Sequence, residues 1–284
     1  MAQARALWLV HNKASGSNDR AALERVCTAC GDCTLRIAYR SRFPDEDLPT
    51  PAMLDAAGLD LVVVFAGDGT ANAVLDALAG WSGQVLVLPG GTMNLLYKRL
   101  FGQLDLDDVL RRAARGELAA RRPGIVSSRL GQAYAGLLAG PGTSWNDVRE
   151  AMRSANVVEM ASGTQEAFAR TLADAPLRCA APELGRAEGY PLLLLEPRDS
   201  GIEVYAYHAE TGGEFVDQLV ALALRRFREG PHDHLGNVQE LTLASVGGQG
   251  FGVLLDGEPR HADGPTRFRL STCAVDLLAQ PADD

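Results

Sequence analysis

The sequence has no uninterrupted apolar run near the ~20 residues that a membrane-spanning helix needs. Its start, Met1 to Arg5, leads only into the short apolar stretch Ala6 to Val10, followed by His11 and Asn12. That is too short for the centre of a secretory signal, and no small-residue cleavage pattern follows. The expectation is a cytoplasmic protein. Basic charge is also in short supply: 27 Lys and Arg stand against 36 Asp and Glu, a net charge of -9. A nucleic-acid partner is therefore not expected, because such proteins carry a net basic footprint. A membrane surface stays compatible, since a local basic patch can coexist with a negative total. Cysteine is scarce and odd in number, five in all, which fits reduced thiols. Cys27, Cys30 and Cys33 are spaced like three ligands of an iron–sulfur motif, but the fourth cysteine and its proline are absent. They read as small apolar residues near a helix end. Neither a Walker A sequence nor Gly-x-Gly-x-x-Gly occurs, which removes the two commonest phosphate-binding loops.

What is present is a globular composition, 46% hydrophobic and 22% charged. Strand and helix signals alternate over the first 120 or so residues. Strands are expected at Arg5–Val10, Thr34–Tyr39, Leu59–Phe65 and Val85–Leu88. Helices are expected at Asp19–Cys30, Thr70–Ala79, Thr92–Phe101 and Leu106–Gly116. Such alternation predicts a parallel sheet covered on both faces. After Arg121-Arg122-Pro123-Gly124 the pattern changes. Helices are expected at 144–155, 163–175 and 214–227, and strands at 192–195, 202–207, 238–245, 250–256, 266–270 and 274–278. The expected division is residues 1–122, an α/β domain, and 123–284, a β-rich domain whose last residues can pack back on the first.

The most informative segment is Val62-Val63-Val64-Phe65-Ala66-Gly67-Asp68-Gly69-Thr70, a buried strand running through a glycine turn into a helix. Ligands gather at the carboxyl ends of strands in open α/β sheets. Glycines let the backbone approach a phosphate, and a helix start offers unpaired N–H groups and a positive dipole end. Asp68 repels bare phosphate, so it makes sense beside a Mg²⁺ or as the acceptor of a proton. Two more turns follow strands in the same way: Asn12-Lys13-Ala14-Ser15-Gly16 and Pro89-Gly90-Gly91-Thr92-Met93-Asn94. Three such turns offer the converging N–H and hydroxyl groups that a polyphosphate needs. Far along the chain, a strand from Phe251 ends in Asp256-Gly257-Glu258, whose carboxylates suit acid–base work. The same Asp-Gly pair also suits a plain hairpin turn.

These residues resemble the diacylglycerol kinase catalytic-domain family, a superfamily that includes sphingosine and ceramide kinases, bacterial lipid kinases and, more distantly, NAD kinases. Ala66 to Thr70 is similar to its Gly-Gly-Asp-Gly-Thr, Asn12 to Gly16 to its Asn-Pro-x-Ser-Gly, Pro89 to Asn94 to its Pro-x-Gly-Thr-x-Asn, and Asp256 to Glu258 to its late Asp-Gly-Glu. The last motif favours the lipid-kinase branch. The resemblance implies an NAD kinase/diacylglycerol kinase-like α/β domain with a parallel sheet, a β-rich C-terminal domain, and ATP with Mg²⁺ in the cleft between them. It implies a nucleotide site lined by Asn12, Ser15, Gly16, Gly67, Asp68, Gly69, Thr70, Asn72, Gly91, Thr92 and Asn94. Asp68 and Asp256 are the expected metal-side carboxylates, and Glu258 or Asp68 the expected base. The implied partner is a lipid substrate, diacylglycerol or a sphingoid-type lipid, met at a transient membrane surface; the oligomeric state stays open, a dimer being one option.

Three positions depart from the family pattern: Lys13 for proline, Ala66 for glycine, and Ala73 where glutamate is usual. The last motivates a rival reading, a non-catalytic nucleotide- or lipid-binding regulator. Another rival is a soluble kinase of a small hydroxyl compound, as NAD kinases are. Arg111, Arg112, Arg115, Arg121 and Arg122 read as a solvated helix face, and His232-Asp233-His234 as a polar loop.

Overall fold

The computed structural model describes residues 4–13, 20–32, 35–140, 175–207 and 232–281. The helices expected at 144–155, 163–175 and 214–227 fall outside the described residues, except for Ala175. So do Ser15 and Gly16. The chain divides into two units, Met1–Pro123 with Thr272–Asp284, and Gly124–Ser271.

The first unit is built on strands β1 (Arg5–His11), β2 (Leu35–Arg42), β3 (Leu61–Ala66), β4 (Gln84–Pro89) and β5 (Ala119–Arg121). Helices α1 (Arg20–Asp32), α2 (Pro51–Ala56), α3 (Asp68–Ala77), α4 (Leu95–Phe101) and α5 (Leu106–Arg115) alternate with them. Every residue of β3 is buried, which is why Leu-Val-Val-Val-Phe-Ala reads as a continuous apolar run rather than an alternating one. β1 pairs in parallel with β2 and β3, and β3 with β4. Three elements differ from the sequence expectation, β5 having no counterpart in it. β2 runs three residues past Tyr39 to Arg42, through the polar run Arg40-Ser41-Arg42, in which Ser41 is buried. α2 was not anticipated, although Thr50 accepts from the Met53 amide and Pro51 occupies the first turn, both ordinary helix-start signals.

The second unit begins with β6 (Gly124–Ser128), β7 (Gly131–Ala133), β8 (Leu137–Gly140), β9 (Leu177–Ala181), β10 (Glu183–Leu184), β11 (Leu192–Arg198) and β12 (Gly201–Tyr207). β13 (His232–Val238), β14 (Glu240–Ser245), β15 (Phe251–Leu255), β16 (Glu258–Ala262) and β17 (Thr266–Thr272) follow. They form two sheets, ordered β10-β9-β14-β17-β6-β7 and β13-β12-β11-β8-β15-β16. Neighbouring strands such as β11–β12 and β15–β16 run antiparallel. One core joins the inner faces, with Leu193, Val204 and Val253 from one sheet against Leu241, Leu243 and Phe268 from the other. His232 and His234, expected in a loop, lie instead on edge strand β13, opposite Tyr207 and Tyr205. Their polarity hid a strand because an edge strand buries little of its outer side.

The last strand, β18 (Asp276–Ala279), leaves this unit and closes the first one. It pairs in parallel with β4 and antiparallel with β5, giving the order β2-β1-β3-β4-β18-β5. The fold is thus an α/β unit on a mainly parallel sheet and a β-rich unit of antiparallel sheets.

Candidate functional site

In the first unit the chain passes from β1 outward to β2, then back across β1 to β3 and β4. The switch point lies between β1 and β3, and ligands of open α/β sheets bind outside the carboxyl ends of strands at such a point. Asn12 follows β1 there, and Gly67 to Thr70 follow β3. Asn12 Nδ2 donates to Thr70 Oγ1 at 2.9 Å, tying the first turn to the second.

The second and third turns lie closer still. A Cβ placed on Gly91 would stand 2.5 Å from Gly67 Cα, and one on Gly90 would stand 2.7 Å from the Ala66 nitrogen. Only glycine lets these two backbones meet. Gly91 and Asn94 then close a small ring: the Gly91 amide donates to Asn94 Oδ1 at 2.7 Å, and Asn94 Nδ2 donates to the Gly91 carbonyl at 2.8 Å. Asn94 adopts φ 51, a left-handed conformation that asparagine tolerates.

Asp68 joins the same two turns from the other side. Its Oδ1 accepts the Leu96 amide at 3.0 Å, so it caps the N-terminus of α4, whose own N-cap residue, Asn94, makes no side-chain cap bond. Burial pushes the Asp68 carboxyl above its usual value, against the opposing pull of the Leu96 and Leu95 amides. Gly69 and Thr92 are exposed beside these bonds, whereas Thr70 is buried. Asn72 lies one turn further along α3, half-buried.

Two residues that the sequence reading passed over lie at the same strand ends. Ser41, buried, accepts the Trp8 indole N–H at 3.0 Å. His11 is 4% exposed, and its Nδ1 has no hydrogen-bond partner among the described residues. Burial holds its pKa below the ordinary value, helped by the charges of Arg40 and Lys13. Neither had a sequence signal: a polar run ends β2, and only the strand pairing brings Arg42 into register with His11.

The late motif belongs to the second unit. Asp256 and Gly257 form the two-residue turn between β15 and β16, with φ 48 and 86. Asp256 is 3% exposed, and its carboxylate accepts three successive amides: Tyr134 on Oδ2 at 2.7 Å, Ala135 and Gly136 on Oδ1 at 2.7 and 2.9 Å. Both oxygens expected on the metal side are therefore already engaged by the chain. Glu258 opens β16, half-buried, opposite Leu255. Among the described residues no three His, Cys, Asp or Glu side chains are grouped as they would be around a metal ion. Several of the arginines read as a solvated face are ion-paired: Arg111 with Asp108, Arg115 with Glu117 and Arg122 with Asp276.

Residues 5–123 match the family model of the diacylglycerol kinase catalytic domain. The chain thus carries the family resemblance that its first three motifs gave. Three of the four motifs lie within that match, and all three belong to the first unit. No curated protein matches the chain. Among solved structures, a diacylglycerol kinase from Bacillus anthracis is similar over 99% of both chains, with 14% identity and a TM-score of 0.59. A candidate diacylglycerol kinase from the same organism aligns over 100% of both chains, with 14% identity and a TM-score of 0.61. At such identities the likeness is one of fold, and it extends past the catalytic-domain match into the β-rich unit. Among the described residues no helix is long and apolar enough to cross a membrane.

Proposed function

We propose that the chain is an ATP-dependent lipid kinase that phosphorylates a hydroxyl of diacylglycerol or of a sphingoid-type lipid. The observation that carries this reading is the meeting of three family turns at one switch point, held by the Asn12–Thr70 bond and the Gly91–Gly67 approach. Glycine turns packed this closely at the starts of helices suit a phosphate chain laid against backbone N–H groups. Asp68 fits one side of a Mg²⁺, which takes one or two carboxylates and otherwise phosphate and water oxygens. Bound there, the ion would neutralise phosphate charge. Asp256 does not fit as a second ligand, because its oxygens are taken by three amides.

The remaining work falls to this chain's own groups. The turns hold the triphosphate so that a lipid hydroxyl approaches the γ-phosphorus in line with the leaving oxygen. We assign the hydroxyl proton to Glu258, the carboxylate that the late family motif supplies, and leave Asp68 to the metal side and the α4 cap. A second reading keeps Asp68 as the base, since its raised pKa favours proton uptake. Incubation with Mg·ATP and a panel of diacylglycerols, sphingoid bases, ceramides and NAD tests the proposal. A phosphorylated lipid is expected; phosphate transfer to NAD alone, or ATP binding without transfer to any acceptor, would replace it with one of the rivals. Glu258→Gln is expected to lose turnover with ATP affinity kept, and retention of full turnover would move the proton to Asp68.

A further inference from the structure

We infer that Asp256 is a positioning residue, whose buried carboxylate fixes the place of Glu258 by gripping a neighbouring loop. The inference rests on the assignment of Glu258 as base. The β15–β16 connection is a two-residue turn with both residues left-handed, φ 48 at Asp256 and 86 at Gly257. Asn-Gly closes such a turn at least as well as Asp-Gly. Turn formation alone therefore does not call for a negative charge, and an ionised side chain 3% exposed is costly unless its charge is used.

The charge is used on the segment between β7 and β8. Tyr134, Ala135 and Gly136 point three consecutive amides at the two carboxylate oxygens, and the Asp256 amide returns a bond to the Gly136 carbonyl at 3.0 Å. A neutral amide side chain offers one acceptor oxygen and cannot satisfy the set. The gripped loop is itself immobilised. Tyr134 is 3% exposed, and a Cβ on Gly136 would meet the Leu195 carbonyl at 3.0 Å. Leu137, next along, pairs with Leu255, the last residue of β15. The turn is thus clamped from the side as well as along its strands. Glu258 is the first residue beyond it, paired with Leu255 across the hairpin. Release of the clamp leaves the turn type intact but frees the hairpin end to swing, and the displacement falls on Glu258.

The test compares Asp256→Asn, Asp256→Gly and Glu258→Gln in the full chain with 1,2-dioleoylglycerol micelles, sphingosine and ceramide as acceptors. Asn and Gly both keep a turn that tolerates positive φ; Asn keeps one acceptor oxygen and Gly none. Expected is a graded loss of kcat, about tenfold for Asn and roughly hundredfold for Gly, as for a reacting group displaced by about 1 Å. KM for ATP should stay within about twofold, because the nucleotide turns belong to the other unit. A merely structural role would lower the melting temperature and leave kcat per folded molecule unchanged. Wild-type kcat in folded Asp256→Gly, or in Asp256→Asn should the glycine variant not fold, overturns the inference. If Glu258→Gln alone retains full turnover, the assignment of the base fails instead. If the wild type phosphorylates none of these lipids, the inference falls together with the proposed function.

Discussion

Replacement of Gly91 by alanine is the sharpest probe of the nucleotide turns. The new Cβ would stand 2.5 Å from Gly67 Cα, where carbon atoms rest at about 3.5–4.0 Å. The two backbones must therefore separate by about 1 Å. Neither gives way easily, since one follows β3 and the other β4, adjacent strands paired over six residues from Leu61–Gln84 to Ala66–Pro89. Overpacking of this kind costs about 1–3 kcal/mol, and for a chain of this size each kcal/mol lowers the melting temperature by roughly 2–4 °C. The Gly91–Asn94 ring opens as well, because the same Cβ would lie 3.2 Å from Asn94 Oδ1. If the turns hold ATP as proposed, a displacement of that size should weaken its binding tenfold or more, or about 1.4 kcal/mol. Thermal unfolding and calorimetric titration with Mg·ATP measure the two effects. Gly31→Ala in α1 is the control: its Cβ would meet nothing within 4 Å, and alanine in a helix should gain up to about 1 kcal/mol. A Gly91→Ala protein that melts and binds ATP like the wild type would refute the close approach of the turns.

Thr70→Val removes the acceptor of the Asn12 side chain and should cost about 1 kcal/mol together with a several-fold loss of ATP affinity; unchanged affinity would show that the first turn is placed without it. Asp68→Asn keeps an oxygen for the Leu96 amide while discarding a charge that burial disfavours, so at pH 8 stability should hold or rise as turnover falls through loss of the proposed Mg²⁺-side carboxylate. A large fall in melting temperature would make the charge itself structural. His11 has its pKa lowered from 6.5, so the folded chain resists a proton that the unfolded chain accepts. Its contribution is fully present above about pH 6.5 and is lost as pH falls toward the folded value, by at most about 1.4 kcal/mol per pH unit. His11→Phe should therefore gain on the wild type between pH 7.5 and 5.5 in urea unfolding, and parallel pH profiles would exclude the effect.

The parallel sheet was legible because β3 and β4 are apolar runs ending in glycine turns, a local signal. β6 to β10 were not, because short strands such as Glu183–Leu184 and Gly131–Ala133 carry too few residues to show a period. Their places are set by the shared core between two sheets, which only tertiary packing reveals. β13 was hidden for the opposite reason: His-Asp-His-Leu-Gly-Asn-Val has strand length but an edge strand's polarity. In the site, residue types pointed to turns whose polar side chains hydrogen-bond the backbone. Asn94 and Asp256, read from the sequence on the nucleotide and metal sides, both hydrogen-bond backbone groups, a use that residue type alone does not reveal.

That pattern has a physical consequence. Asn12 bonds Thr70, Asp68 bonds the α4 amide of Leu96, Asn94 bonds Gly91, and Asp256 bonds residues 134–136. Each motif thus supplies a polar side chain that braces a neighbouring loop. Loops are the most mobile parts of a fold, and a site made of three of them would otherwise spend binding energy on ordering itself. With the bracing done by side chains, the amides at the mouths of the turns can face the phosphate groups already aimed. Charge develops on those oxygens as phosphate transfers, and donors that need not reorganise at that moment stabilise it most. Loss of any one brace should therefore depress turnover more than its single hydrogen bond is worth in stability. Asn12→Ala, about 1 kcal/mol by its bond, is the simplest case: a fall in kcat/KM larger than the roughly fivefold that such an energy allows would mark preorganisation, and a fall no larger would mark a simple contact.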